Sequence, residues 1–478
     1  MSALKHVQIA PLPPLRFKEI LTAEQSRQLD QTIARGDELL GDRVVWNVNS
    51  TMRGGGVAEM LGSLVAYGRG AGVDTRWVVM RGNPDFFRVT KRIHNMLHGS
   101  PGDGAGLGAE ARATYEHVCA VSARELAELT EPGDVVVLHD PQTAGLVQPL
   151  VDDGARVVWR CHVGIDLPND LARETWAFLR PYVAPAAAYI FSREAFAWDD
   201  LDRSRVVIIP PSIDAFSAKN QSLEPNAVKG ILAAAGILEG SASSSAEFAR
   251  QDGSRGRVNR QAELHGTPRV PAAVPTIIQV SRWDRLKDHV GVLRAFCDHV
   301  APDDDAHLVL AGPSTAAVVD DPEGAEVLRE ILAAREQYSG ASADRAHVIS
   351  LPMVDPEENA ATVNALQRHA TIVVQKSLAE GFGLTVAEAM WKGRPVVASR
   401  VGGIQDQIVD GQNGVLVDPL DLEAFGAALF SLLADGDRAE ELGRRAREHV
   451  RDAFLGPRTL AQYIELFGRL LEPARAAP

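Results

Sequence analysis

The chain has 478 residues, 45% hydrophobic and 23% charged, with a formal net charge of −14. That length exceeds one ordinary core and that balance is globular, so two domains are expected and a disordered or fibrous chain is excluded. A net acidic chain has no general attraction to nucleic acid or anionic lipid, and the scattered Cys119, Cys161 and Cys297 form neither a disulfide framework nor a CxxC zinc pair. No stretch approaches the roughly 18 apolar residues of a spanning helix, and the N-terminus lacks an apolar signal core. A cytoplasmic protein without a transmembrane segment is expected.

Short β-branched runs at 44–48, 77–80, 135–138, 157–159 and 206–209 read as buried parallel strands, with helical spacing between them, as over 57–69. After Pro210 and Pro211 the alternation restarts at 276–280, 307–311, 347–350, 371–375 and 396–399. The fold class is therefore α/β, two doubly wound Rossmann-like domains over 1–212 and 213–454, facing across a cleft. A C-terminal helix, about 455–478, is expected to return to the first domain. Residues 239–275 are rich in Ser, Gly, Arg and Gln and bury too little to offset their ordering entropy, so a mobile insertion is expected there. Doubly wound sheets bind ligands beyond the carboxyl ends of their strands, which directs attention to the loops that follow them.

The string EGFGLTVAE over 380–388 follows a strand and opens a helix. Backbone N–H groups of Gly383, Leu384 and Thr385 at a helix N-terminus would donate to an anion or a sugar hydroxyl. Glu380 in the loop can accept from sugar hydroxyls, and Glu388, one turn into the helix, can reach a ribose. The spacing of Thr385 and Glu388 also fits a simple capping box, and that reading stays open. After the strand 276–280 come Arg282, Arg285 and Lys287, cations suited to a diphosphate whose charge grows as it leaves. A solvated charged face is the alternative. Gly54, Gly55 and Gly56, after the first strand, permit close backbone approach to a phosphate, or make a purely structural turn. Strand 77–80 ends without an acidic residue for a ribose, which argues against a dinucleotide dehydrogenase. His139, Asp140 and His162 follow strands of the first domain. Asp303, Asp304 and Asp305 precede a strand and read as a surface turn, so no metal site is expected.

Two of these features carry a family resemblance. Glu380 and Glu388 stand in an E-x7-E spacing, and Ser281, Arg282 and Lys287 match S-R-x4-K, followed by Asp288 where glycine is usual. Together they resemble retaining GT-B glycosyltransferases of family 4. The strings at 49–59, 86–99, 159–162, 321–324, 380–393 and 401–411 are similar to the glycosyltransferring trehalose synthases and to the related retaining trehalose phosphorylases. The resemblance implies transfer of glucose from NDP-glucose to free glucose, giving trehalose and NDP. It implies catalytic roles for His162, Asp140, Arg282, Lys287 and Glu380. Donor binding would involve Gly55, Gly56, Arg282, Lys287, Glu380, Phe382, Gly383, Leu384, Thr385 and Glu388. No cofactor and no essential metal are implied, and the partners are the small molecules NDP-glucose and glucose, with a homodimer as the candidate assembly. A trehalose phosphorylase using inorganic phosphate is the alternative, and a non-catalytic sugar-nucleotide-binding protein the second.

Overall fold

The β-branched runs become strands of two separate sheets. In the computed structural model, which describes residues 2–52, 56–240, 246–315 and 322–471, the chain divides into one unit of 1–212 with 454–478 and another of 213–453. The first sheet holds β1 (Leu4–Val7), β2 (Val45–Asn49), β3 (Thr75–Met80), β4 (Val135–His139), β5 (Arg156–Cys161), β6 (Ala188–Phe191) and β7 (Val206–Ile208). Its order is β1-β3-β2-β4-β5-β6-β7. Every pairing is parallel except that of the edge strand β1 with β3. Successive side chains of a strand point to opposite faces. Trp46, Val48, Val136 and Leu138 accordingly join one core layer, while Val45, Val135 and Val137 join the other with Tyr463 and Phe467. Those last two belong to the C-terminal helix Gly456–Leu471. Arg160, fully buried, ties that helix down by donating to the Tyr463 hydroxyl at 2.6 Å and to the Ile209 carbonyl at 3.0 Å.

The second unit contains β8 (Glu247–Ala249), β9 (Arg255–Arg257), β10 (Glu263–Leu264), β11 (Thr276–Val280), β12 (His307–Pro313), β13 (Ala346–Leu351), β14 (Ile372–Gln375), β15 (Val396–Ser399) and β16 (Val415–Val417). Strands β8 and β9 form a hairpin, and the others a sheet ordered β10-β13-β12-β11-β14-β15-β16. From β11 the chain winds outward to β12 and β13, then returns to β14 on the other side. The switch point thus lies between β11 and β14, where ligands of such sheets bind.

Of the stretch 239–275, expected as a mobile insertion, residues 246–275 carry short strands and side-chain contacts; residues 241–245 lie outside the described ones. Phe248, Val258 and Val270 are buried. Arg250 clasps Asp355 at 2.6 Å and Glu357 at 3.1 Å. Glu358, itself buried, accepts from the backbone N–H groups of Asn259 and Arg260 at 2.6 and 2.7 Å and pairs with the Arg260 guanidinium. β10 adds antiparallel to β13. Few apolar residues suffice because charged groups about a hundred positions away anchor the segment. Among the described residues, no helix is long and apolar enough to cross a membrane.

Candidate functional site

The loops after β11 and β14 flank the switch point. β14 ends at Gln375, and the chain turns into the helix Leu384–Trp391 through Gly383 at φ 83° and ψ 59°. A Cβ there would be strained by that backbone and would meet Ile404 at 3.1 Å and Glu380 at 3.2 Å, so glycine is required. Gly383 is the N-cap and has no side chain to cap with. Among the described residues the N–H groups of Gly383, Leu384 and Thr385 have no acceptor. The capping-box reading is corrected here. Thr385 lies inside the helix, and its hydroxyl donates to Gln375 Oε1 at 2.9 Å. Glu388, 1% exposed, lies 3.3 Å from Lys219 Nζ, a partner far outside the motif. The Phe382 ring is buried, and its carbonyl accepts from Gln407 Nε2 at 2.5 Å. Phe382 thus braces the loop through its buried ring and its carbonyl.

Lys287, after β11, points its ammonium at Glu380 Oε2 at 2.5 Å, and the Ser377 hydroxyl donates to the same oxygen at 3.2 Å. Arg282 is largely exposed, its side chain 65% accessible, and lies 3.5 Å from Asp284. Buried Gln279 stitches the two loops. Its amide nitrogen donates to the Lys287 carbonyl at 2.8 Å and its oxygen accepts from the Lys376 N–H at 3.1 Å. Asp288 adopts a left-handed backbone, φ 43° and ψ 50°. This is a conformation glycine takes freely and Asp tolerates, which accounts for the glycine of the resembling pattern. The carboxylate that stands here instead caps the helix His289–His299 through Gly291 N at 3.0 Å and pairs with the Lys376 ammonium. Lys376, its side chain 1% exposed, also donates to the Pro419 carbonyl at 2.7 Å.

In the first unit β4 and β5 are neighbours, so His139, Asp140 and His162 come together. Asp140 sits at φ 66° and ψ 173°, a backbone region that is otherwise almost glycine's own. It is held there by its N–H donating to the Arg160 carbonyl at 2.7 Å and by Trp159 Nε1 donating to its carbonyl at 3.2 Å. Its Oδ1 accepts from His162 N at 2.8 Å. Burial pushes the Asp140 carboxyl up to about 6, against the lowering effects of that N–H and of the Arg160 guanidinium. The His139 and His162 rings are parallel within 10°, with Nδ1 of the first 3.2 Å from Nε2 of the second. Burial, then Arg160, holds both far below the ordinary histidine range. Gly56 begins the helix Gly56–Gly70; Gly55 lies outside the described residues. No His, Cys, Asp and Glu cluster able to hold a metal occurs among the described residues. Sequence reasoning missed Lys219, Gln279 and Lys376, whose neighbours are distant in the chain.

Two facing observations define the class: two doubly wound sheets, and a cationic, acidic and helix-N-terminal cluster at the switch point of the second. The solved UDP-forming α,α-trehalose-phosphate synthase from Burkholderia vietnamiensis is similar, with a TM-score of 0.66 and 16% identity over 91% of this chain and 98% of that one. At that identity the likeness shows the fold alone, GT-B. Residues 261–449 match the model for glycosyl transferases group 1, and residues 47–198 match that for the trehalose synthase N-terminal domain. The trehalose synthase of Rubrobacter xylanophilus is 36% identical over 458 residues, 95% of this chain and 96% of the relative. The trehalose phosphorylase of Grifola frondosa is 28% identical over 88% of this chain and 57% of that protein. The chain is a glycosyltransferase, and it belongs to the trehalose synthase family.

Proposed function

We propose that the chain is a retaining hexosyltransferase that moves glucose from NDP-glucose to free glucose, forming trehalose and NDP. The observation that carries this reading is the meeting of Lys287 with Glu380, near Arg282 and the free amides of Gly383, Leu384 and Thr385, at the β11/β14 switch point. Cations and a helix N-terminus hold a diphosphate and stabilise the charge it gains on leaving. Glu380 accepts from hydroxyls of the glucosyl ring, and Glu388 takes the ribose. His162 meets the donor sugar and Asp140 orients the acceptor hydroxyl, while Gly55 and Gly56 approach the donor by their backbone. The bond from the anomeric carbon to the phosphate oxygen breaks as the acceptor oxygen bonds to the same face of that carbon. The departing phosphate oxygen takes the acceptor proton, so no protein base is needed. In this reading the enzyme works in the cytoplasm, as a homodimer.

The test is one assay with two arms. NDP-glucose with glucose should release NDP and yield trehalose in equal amounts. Trehalose with inorganic phosphate should yield no glucose 1-phosphate. The reverse pattern would make the chain a phosphorylase, and turnover in neither arm would overturn the assignment.

A further inference from the structure

His139 has no role in the transfer just described, yet it is fully buried, and its two nitrogens are both engaged. Its Nε2 lies 3.3 Å from Oδ1 of buried Asn47 on β2. The Asn47 amide nitrogen turns the other way and donates to Thr75 Oγ1 at 3.3 Å, which sets the amide oxygen towards the ring. An amide oxygen only accepts, so the proton of His139 sits on Nε2. A neutral imidazole carries one N–H, so Nδ1 of His139 is bare and accepts from its partner at 3.2 Å, Nε2 of His162. His162 then carries its own proton on Nε2 and has a bare Nδ1. Its main chain is fixed separately by the bond from His162 N to Asp140 Oδ1, so the ring's chemistry and its position are set by different partners.

We propose that Asn47 and His139 are positioning residues that hold His162 as the Nε2–H tautomer, so that its bare Nδ1 accepts a hydrogen bond from a hydroxyl of the transferred sugar. The sugar half rests on the reading of His162 given above; the relay itself does not. Burial keeps both rings neutral, so the relay keeps one direction across neutral pH. His162 therefore selects a donor that presents a hydrogen-bond donor at that point, and a deoxyfluoro sugar, which presents none, binds worse.

The tautomers are read by proton–nitrogen correlation spectra of the full chain labelled in histidine nitrogen. His139→Phe and His162→Asn identify the peaks by their loss. In the unliganded wild type both rings should appear neutral and protonated at Nε2. Asn47→Leu, or His139→Phe should the first fail to fold, should leave His162 in mixed tautomers. Either should lower kcat/KM for the nucleotide sugar roughly tenfold, the loss of one hydrogen bond. Affinity for the nucleoside diphosphate, which lacks the sugar, should stay unchanged. A wild-type His162 protonated at Nδ1 overturns the proposal, as do folded variants with wild-type spectra and kcat/KM. A wild type without any transfer activity strikes the functional reading and the sugar half with it, while the spectra still decide the relay.

Discussion

Lys287 and Glu380, 93 positions apart, meet with Nζ 2.5 Å from Oε2. Each neutralises the other's charge. A diphosphate would take over the ammonium and sugar hydroxyls would donate to the carboxylate, so neither group is left facing water alone. Lys287→Ala and Glu380→Gln should each lower kcat/KM by about a hundredfold or more, with little change in circular dichroism. The double variant should lose scarcely more than either single one, since one unit is broken in each case. Additive losses in steady-state kinetics would show that the two act separately. Arg282→Ala, on an exposed side chain, should lose transfer at unchanged stability.

Glu388 should behave differently, because its proposed partner is a ribose remote from the reacting carbon. Glu388→Gln should raise KM for the nucleotide sugar about tenfold with kcat nearly unchanged. Lys219→Met removes the cation 3.3 Å from this buried carboxylate and should cost roughly 3 kcal/mol of stability by denaturant unfolding. A fall in kcat with KM unchanged in Glu388→Gln would place the residue at the chemistry instead.

The carboxyl of Asp140, pushed up to about 6 from 3.8, binds its proton more tightly folded than unfolded. Its contribution to stability is fully present below the unfolded value and is lost as pH rises through about 6. Transfer has the opposite sign, since the ionised form accepts the acceptor hydroxyl. The kcat/KM profile should fall as pH drops below about 6. Asp140→Asn should remove that limb, lower transfer, and raise stability at pH 8 by roughly 1–3 kcal/mol. An unchanged acid limb in the variant would assign it to another group.

The segment at 246–275 should resist limited proteolysis in the wild type. Arg250→Ala removes the clasp on Asp355 and Glu357 and should open the β8–β9 hairpin to cleavage without loss of the main sheet. Ready cutting of the wild-type segment would restore the picture of a loose insertion.

Strands with long β-branched runs, such as Val135–His139 and Val396–Ser399, were legible because both faces are buried and every residue reports it. β1, β6 and β16 were not: they are short, and none of them holds two adjacent β-branched residues. The loops that carry Arg282, Lys287 and Glu380 could be placed because they follow legible strands. What could not be read was pairing across distance, as in Lys219 with Glu388 or Arg250 with Asp355. The Thr385 and Glu388 spacing misled for a local reason: the helix begins at a left-handed Gly383, two residues before the threonine could cap it.

The left-handed Asp288 has a consequence for descent. Glycine would fit that backbone with less strain, yet it would strand the buried Lys376 ammonium, left with the Pro419 carbonyl as its one partner among the described residues. Asp288→Gly should thus destabilise by about 2–4 kcal/mol, and pairing it with Lys376→Met should recover most of that loss. Neither position can drift alone. Relatives that carry glycine at the first should carry an uncharged residue at the second, and the two substitutions should appear together on the same branches of the family tree.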